Sequence, residues 1–200
     1  MDHKNNKLPL TFYQRTDVVM IARELLGKVL FTRVGGIITG GMIVETEAYS
    51  YREKGCHAYG SKKTKRNSIM FENGGFTYVY LCYGMHHLFN IVTNEPGMAE
   101  AVLIRALEPV HGIDEMVLRR GALKNPFHLT SGPGKLTKAL GIDRNLNGKF
   151  LLDDEVWVED IDNKILNRNI VAGPRIGIDY AGEDALLPWR FRLKGNGWVS

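Results

Sequence analysis

The chain has 200 residues, 44% of them hydrophobic, enough for one domain or at most two small ones with an apolar core; this excludes a disordered polypeptide. Its 26 Lys and Arg against 22 Asp and Glu leave a net charge of +4, a mild lean toward a polyanionic partner. Two cysteines, Cys56 and Cys82, are too few and too poorly spaced for a disulfide framework or a zinc cluster, and nothing in the sequence requires a metal.

Residues 1–9 read as a polar leader and residues 10–200 as a single domain. The leader contains no secretory apolar region, and no apolar run approaches the roughly 18 residues that span a bilayer, which predicts a cytosolic protein without a membrane partner. Residues 17–26 have helical spacing, with Thr16 or Asp17 as cap and Gly27 as stop. Residues 28–34 and 37–49 read as strands joined at Gly35-Gly36, with a bulge or bend at Gly40-Gly41. After an irregular, charged stretch over 50–67, residues 76–82 and 87–93 form a second predicted hairpin around Tyr83-Gly84-Met85-His86, and a further strand covers 101–107. Helices are predicted over 113–120 and 135–140, extended segments over 156–158 and 170–178, and residues 189–193 as a strand that closes a sheet edge. No repeat, low-complexity tract or linker interrupts this order. Strands first, with helices interspersed irregularly, predict a single α+β domain: a largely antiparallel curved β-sheet with surrounding helices and a protruding β-hairpin.

Side chains alternate across a strand, so Glu45, Glu47 and Tyr49 share a face opposite Val44, Thr46 and Ala48. A buried core strand has little use for two acids. They read either as a general acid or base pair with pKa values tuned by a pocket, or as solvated or salt-bridged strand acids. Tyr78 and Tyr80 share a face of the following hairpin and build either an aromatic slot, with His57 converging on it, or an ordinary core stripe. Tyr83 has the opposite parity and stands beside Gly84 at the turn, where it is either incidental or projects as a wedge. The run Lys62-Lys63-Thr64-Lys65-Arg66-Asn67 suits phosphate oxygens, although most such runs are solvated loops. A stacking slot, phosphate contacts and a wedge are together the parts a base-flipping protein needs.

The ordered motifs resemble those of the alkyladenine (3-methyladenine) DNA glycosylase family from about residue 10 onward. They are Ile43-Val44-Glu45-Thr46-Glu47-Ala48-Tyr49, His57, Arg66-Asn67 before Met70-Phe71, Tyr78-Val79-Tyr80, Tyr83-Gly84-Met85, Leu103-Ile104-Arg105-Ala106-Leu107-Glu108-Pro109, Ser131-Gly132-Pro133-Gly134-Lys135-Leu136 and Arg175-Ile176-Gly177-Ile178. The resemblance implies a monofunctional DNA glycosylase of base excision repair. Such an enzyme acts as a monomer on double-stranded DNA containing damaged purines, excises alkylated purines and often hypoxanthine, and uses no metal or organic cofactor. It implies a cytoplasmic, nucleoid-associated place in a bacterium and a nuclear one in a eukaryote.

Residue by residue, Glu47 resembles the general base and Arg105 the group that helps hold the attacking water. Tyr49, His57 and Tyr80 resemble the walls that stack on the flipped base, and Asn90 the side chain that obstructs the guanine 2-amino group. Tyr83 resembles the intercalating tip, Lys62, Lys63 and Arg66 fall to phosphate contacts, and Glu45 becomes a structural anchor. A purine alkylated at N3 or N7 is cationic, is drawn to tyrosine faces by about 0.5–2 kcal/mol, and leaves readily, so one carboxylate suffices. Two departures stand out. Residues 50–56 lack the Gly-Pro-acid turn of the family and run one residue short before His57, and Lys62 and Lys65 replace the common Arg and Pro. Two other readings compete: a noncatalytic nucleic-acid-binding module, and a glycoside hydrolase using Glu45 with Glu47. The hydrolase reading suffers because same-face neighbours on one strand do not flank a bond.

Overall fold

The structure, a computed structural model, describes residues 6–200, and residues 1–5 of the predicted leader lie outside it. Two short helices, α1 (Leu10–Tyr13) and α2 (Val18–Glu24), precede the sheet. Asp17 caps α2 by accepting a hydrogen bond from the Met20 N–H at 2.9 Å, and Gly27, at φ +84°, takes the left-handed turn out of it. The strands are β1 (Val29–Val34), β2 (Ile37–Ser50), β3 (Thr77–Cys82), β4 (His86–Thr93) and β5 (Glu100–His111). After helices α3 (Ile113–Arg120) and α4 (Pro133–Leu140) come β6 (Val156–Glu159), β7 (Ile170–Gly173) and β8 (Arg190–Leu193). The predicted α+β class and antiparallel sheet are what the structure contains: eight strands among the described residues, every strand pair antiparallel, with β3 and β4 forming the hairpin.

The sheet runs β3-β4-β5-β2-β1-β6, and β2 organises it. Along its first half β2 pairs with β1, Val29 facing Met42 and Val34 facing Ile37. Along its second half Glu45, Thr46 and Glu47 pair instead with Arg192, Phe191 and Arg190 of β8. The change of partner coincides with irregularities against β5. The predicted bulge falls at Gly40/Gly41, and two further ones follow: Ile43 and Glu45 face Leu107 and Ala106, so Val44 is the extra residue, and Thr46 then faces Ile104, so Arg105 is extra on the opposite strand. Bulges bend a strand and re-aim side chains. Here the second one frees Arg105 from register between the two carboxylates.

Period-two alternation gives the sheet one apolar face. Val44 and Ala48 of β2, Val79 of β3, Phe89 and Ile91 of β4, and Val102, Ile104 and Ala106 of β5 bury into one cluster with Ile21, Ala22 and Leu25 around α2. Thr46 fixes that helix by donating its hydroxyl to the Ala22 carbonyl at 2.7 Å, satisfying an acceptor near the helix end.

Three expectations are corrected. The extended segment predicted over 170–178 ends at Gly173, because Pro174 has no N–H to donate and Gly177 turns at φ +80°. Residues 174–178 therefore leave the sheet. The strand predicted over 189–193 closes no edge: β8 lies between β2 and β7. The strand predicted over 101–107 continues to His111, pairing across Gly40/Gly41. Residues 6–9 run beside β6, where the Leu8 N–H donates to the Val158 carbonyl at 2.9 Å and Leu8 is buried.

Thr46→Val keeps the shape but leaves the Ala22 carbonyl without its donor, an expected cost of about 1–3 kcal/mol. Urea unfolding checks this: the midpoint should fall with an unchanged slope, and an unchanged midpoint would remove Thr46 from the account of how α2 is held.

Candidate active site

The alternate residues of the same strands face a cavity of about 1120 Å³. Tyr78 and Tyr80 come from β3, Leu88 and Asn90 from β4, and Ala101, Leu103 and Arg105 from β5. A second, smaller apolar cluster containing Cys56, Ala58, Met70, Tyr78, Val92 and Ala101 floors it, with Tyr49 and Tyr80 packed against it. The slot is formed by rings: His57 lies 4.7 Å from Tyr80 at 68° and 6.0 Å from Tyr78 at 82°, and the two tyrosines are 5.2 Å apart. The loop after His57 is held from within, because Asn67 Nδ2 donates to the His57 carbonyl at 2.8 Å and to the Lys62 carbonyl at 2.9 Å. Asn90 is buried in the wall and donates from Nδ2 to the Tyr78 carbonyl at 3.1 Å.

One layer behind this wall lie the carboxylates, both without exposed surface. Glu47 Oε2 accepts from the Tyr49 hydroxyl at 2.7 Å, while Oε1 accepts from the Ile176 N–H at 2.8 Å and lies 3.2 Å from Arg105 Nη1. Glu45 is spent differently: Oε1 meets Arg190 Nη1 at 3.1 Å, and Oε2 accepts from the Ser200 N–H at 2.6 Å. Arg105 Nε is 3.4 Å from Glu45 Oε1, a charge contact without hydrogen-bond geometry, and Nη2 donates to Ser200 Oγ at 3.1 Å. Arg105 and Arg190 thus balance two acids that would otherwise be buried as unpaired anions. Burial, then the neighbouring Glu47 charge, raises the Tyr49 phenol well above its ordinary range, so Tyr49 is a donor at neutral pH.

A second buried pair backs the slot. Arg175 grips Glu53 with both terminal nitrogens, at 2.7 and 2.8 Å, donates to the Ala48 carbonyl at 2.9 Å, and places its guanidinium 4.8 Å from the Tyr49 ring centre. At the tip of the β3–β4 hairpin Tyr83 is 85% exposed, and its φ of +49° costs a non-glycine residue about 1–2 kcal/mol. An aromatic ring held in the solvent on a strained turn has no packing role in the free protein.

The basic residues separate. Lys62 is exposed, Lys63 Nζ lies 3.8 Å from Glu72, and Arg66 turns into the cavity with its guanidinium 5.0 Å from the Tyr80 ring centre. Lys135, Lys138 and Arg120 also line the cavity. Sequence reading assigned no role to those three, to Glu53, to the Ile176 N–H or to Tyr180, which is 69% exposed at the mouth. A detectable signal existed for residues 174–178, a Pro and a Gly closing an apolar run. None existed for Glu53, which meets Arg175 across 122 positions. Burial pushes the Cys56 thiol up to about 12, which leaves it protonated and inert. Among the described residues no group of three or more His, Cys, Asp or Glu is placed to hold a metal ion, and no helix is long and apolar enough to cross a membrane.

A ring-lined slot with cationic residues around it, beside a shielded carboxylate, is an arrangement suited to a DNA N-glycosylase. Comparison with known proteins agrees. The model of the family described as methylpurine-DNA glycosylase (MPG) matches residues 11–197. Proteins with the provisional name 3-methyladenine DNA glycosylase are similar over nearly their whole length. That of Carboxydothermus hydrogenoformans is 49% identical over 96% of this chain and 98% of its own, that of Chlamydia abortus 48% over 93% and 97%, and that of Bacillus cereus 46% over 96% and 98%. The chain belongs to the methylpurine-DNA glycosylase family, and it is a DNA N-glycosylase with a role in DNA repair.

His57 carries a pH signature. More than a third of its surface is open, toward the cavity, yet burial of the rest and the Arg66 charge lower its pKa to about 4. Solvent on the open side moderates the shift; its direction leaves the ring neutral at neutral pH. The unfolded chain, at about 6.5, binds the proton first, so this stabilising contribution is complete above pH ~6.5 and is lost as pH falls toward 4. His57→Gln should flatten the loss of stability between pH 7 and pH 4.5 in urea titrations, and parallel losses in both proteins would show that His57 is not its source.

Proposed function

We propose that this DNA glycosylase flips alkylated purines of the 3-methyladenine type, and hypoxanthine, out of duplex DNA and hydrolyses the N-glycosidic bond with water activated by Glu47. The carrying observation is the placement of Glu47: a fully buried carboxylate whose three partners, Tyr49, Arg105 and the Ile176 N–H, all belong to residues that line or edge the aromatic cavity. Two of its lone-pair directions accept hydrogen bonds, Arg105 adds a charge contact at Oε1, and a lone pair on Oε2 remains for a water proton. Water attacks C1′ of the sugar, its proton passes to Glu47, and the bonding pair of the glycosidic bond leaves with the base. Arg105 holds the water from the other side, and its shared contact with Glu45 keeps the local charge balanced.

The base stacks among Tyr49, His57 and Tyr80, and Asn90 limits what fits at the purine 2-position. Arg66 already uses the Tyr80 ring, so a cationic base gains the attraction of that ring only as Arg66 yields to it, most simply by moving to a phosphate. Lys62 and Lys63 hold backbone phosphates nearby, and Tyr83 fills the space the base vacates. A single chain supplies the whole arrangement, in keeping with action as a monomer.

Glu47→Gln should bind lesion duplex with unchanged affinity and release base at least 100-fold more slowly in single-turnover assays on methylated DNA; undiminished release would refute the assignment. Tyr83→Ser should reduce the rise in 2-aminopurine fluorescence on binding and weaken lesion affinity severalfold, and an unchanged fluorescence response would remove the wedge role. Retained lesion binding by the wild-type protein with no base release at all would favour the noncatalytic reading.

A further inference from the structure

Tyr49 has its two ends in different surroundings. Its ring lines the cavity and lies against the Arg175 guanidinium, itself fixed by Glu53. Its hydroxyl points out of the cavity into the buried layer, where it donates to Glu47 Oε2 at 2.7 Å. Of the three groups that bind Glu47, the Ile176 N–H is main chain and Arg105 divides its charge between Glu47 and Glu45. Tyr49 alone among them presents an aromatic face to the cavity and holds Oε2, the oxygen that Arg105 and Ile176 do not engage.

We propose that the Tyr49 hydroxyl is a positioning group for Glu47, separate from the stacking role of its ring: it fixes the rotation of the carboxylate and favours its charged form, so that a base seated against the ring meets a base catalyst already oriented. This rests on the reading of Glu47 as the general base. The groups around Glu47 give the direction of the effect. From β2 come Tyr49 and the like charge of Glu45, from β5 comes Arg105, from β8 comes Arg190, paired with Glu45, and behind the Tyr49 ring stands Arg175. Around the buried carboxylate stand one like charge, Glu45, and the donors and cations of Tyr49, Ile176 and Arg105. A hydroxyl lost from this set removes a hydrogen bond that a carboxylate accepts more strongly than a carboxylic acid does.

The test compares wild type, Tyr49→Phe and Tyr49→3-fluorotyrosine on duplex DNA methylated with dimethyl sulfate, reading single-turnover release of methylated purines from pH 5 to 9 and lesion-duplex binding by anisotropy. For Tyr49→Phe, binding should stay within about twofold because the ring remains. Release at pH 7 should fall about 10- to 100-fold, and the acid limb of the rate profile should move up by about one pH unit. The fluorinated ring, isosteric and a stronger donor, should move the limb down, which keeps the proposal testable if Tyr49→Phe folds poorly. An acid limb at the same pH in all three proteins overturns the inference, including the case in which the rate falls without a shift, since a merely structural hydroxyl would do that. Glu47→Gln separates the two readings: if it still releases base, the general-base reading fails at its root; if it is inactive while Tyr49→Phe keeps rate and limb, this inference alone fails.

Discussion

Two buried carboxylates and the two guanidiniums that pair with them, Arg105 buried and Arg190 partly so, constrain the remainder of the structure from the middle of the sheet. Glu45 and Glu47 have no exposed surface, so each must be matched by charge and hydrogen bonds or it would ionise at great cost. Arg105 from β5, Arg190 from β8, the Ile176 N–H from the loop after β7 and the Ser200 N–H supply that match. Four distant parts of the chain are therefore required to arrive at one point. Replacing one acid or one base alone leaves an uncompensated charge, whereas the intact cluster fixes β2, β5 and β8 in a single arrangement.

The proposed chemistry borrows this arrangement. A catalytic carboxylate on a mobile loop would have to be oriented anew in each turnover; here Glu47 sits on a strand whose neighbours are set by the need to neutralise it. The Arg105 bulge is the geometric means, because a residue out of register can point between two acids that a regular partner would face singly. The slot is less tightly specified. Tyr49 and Tyr80 rest on the smaller cluster, and each has a guanidinium near its ring, Arg175 on the first and Arg66 on the second. Arg175 is locked to Glu53, whereas Arg66 is exposed. The two walls thus differ in the exposure of the charge that accompanies them.

Much of the fold was legible in the letters. The helix over 113–120 coincides with α3, Asp17 caps α2, and both hairpins turn where glycines were read as turns, because capping side chains and positive-φ glycines act within a few residues. What misled was extension. The apolar run over 170–178 has strand composition, but Pro174 cannot continue a ladder, and residues 174–178 are worth more as a loop that meets Glu47 and Glu53. Likewise 189–193 was read as an edge strand because nothing local says that β7 will cover it.

Sequence by itself determined the parity of Glu45, Glu47 and Tyr49, the tyrosine pair and the turn that lifts Tyr83, since alternation along a strand and the left-handed preference of a Tyr-Gly turn are local properties. It also carried the motifs through which the family is recognised. Tertiary structure alone decided that Glu47 lies behind the cavity wall with Tyr49 as its donor, that Glu45 is consumed by Arg190 and Ser200, and that Arg66 enters the slot while Lys62 and Lys63 remain outside. The reason is separation: those contacts join residues up to 155 positions apart, and which charge neutralises which is settled only when burial removes the water that would have served them all.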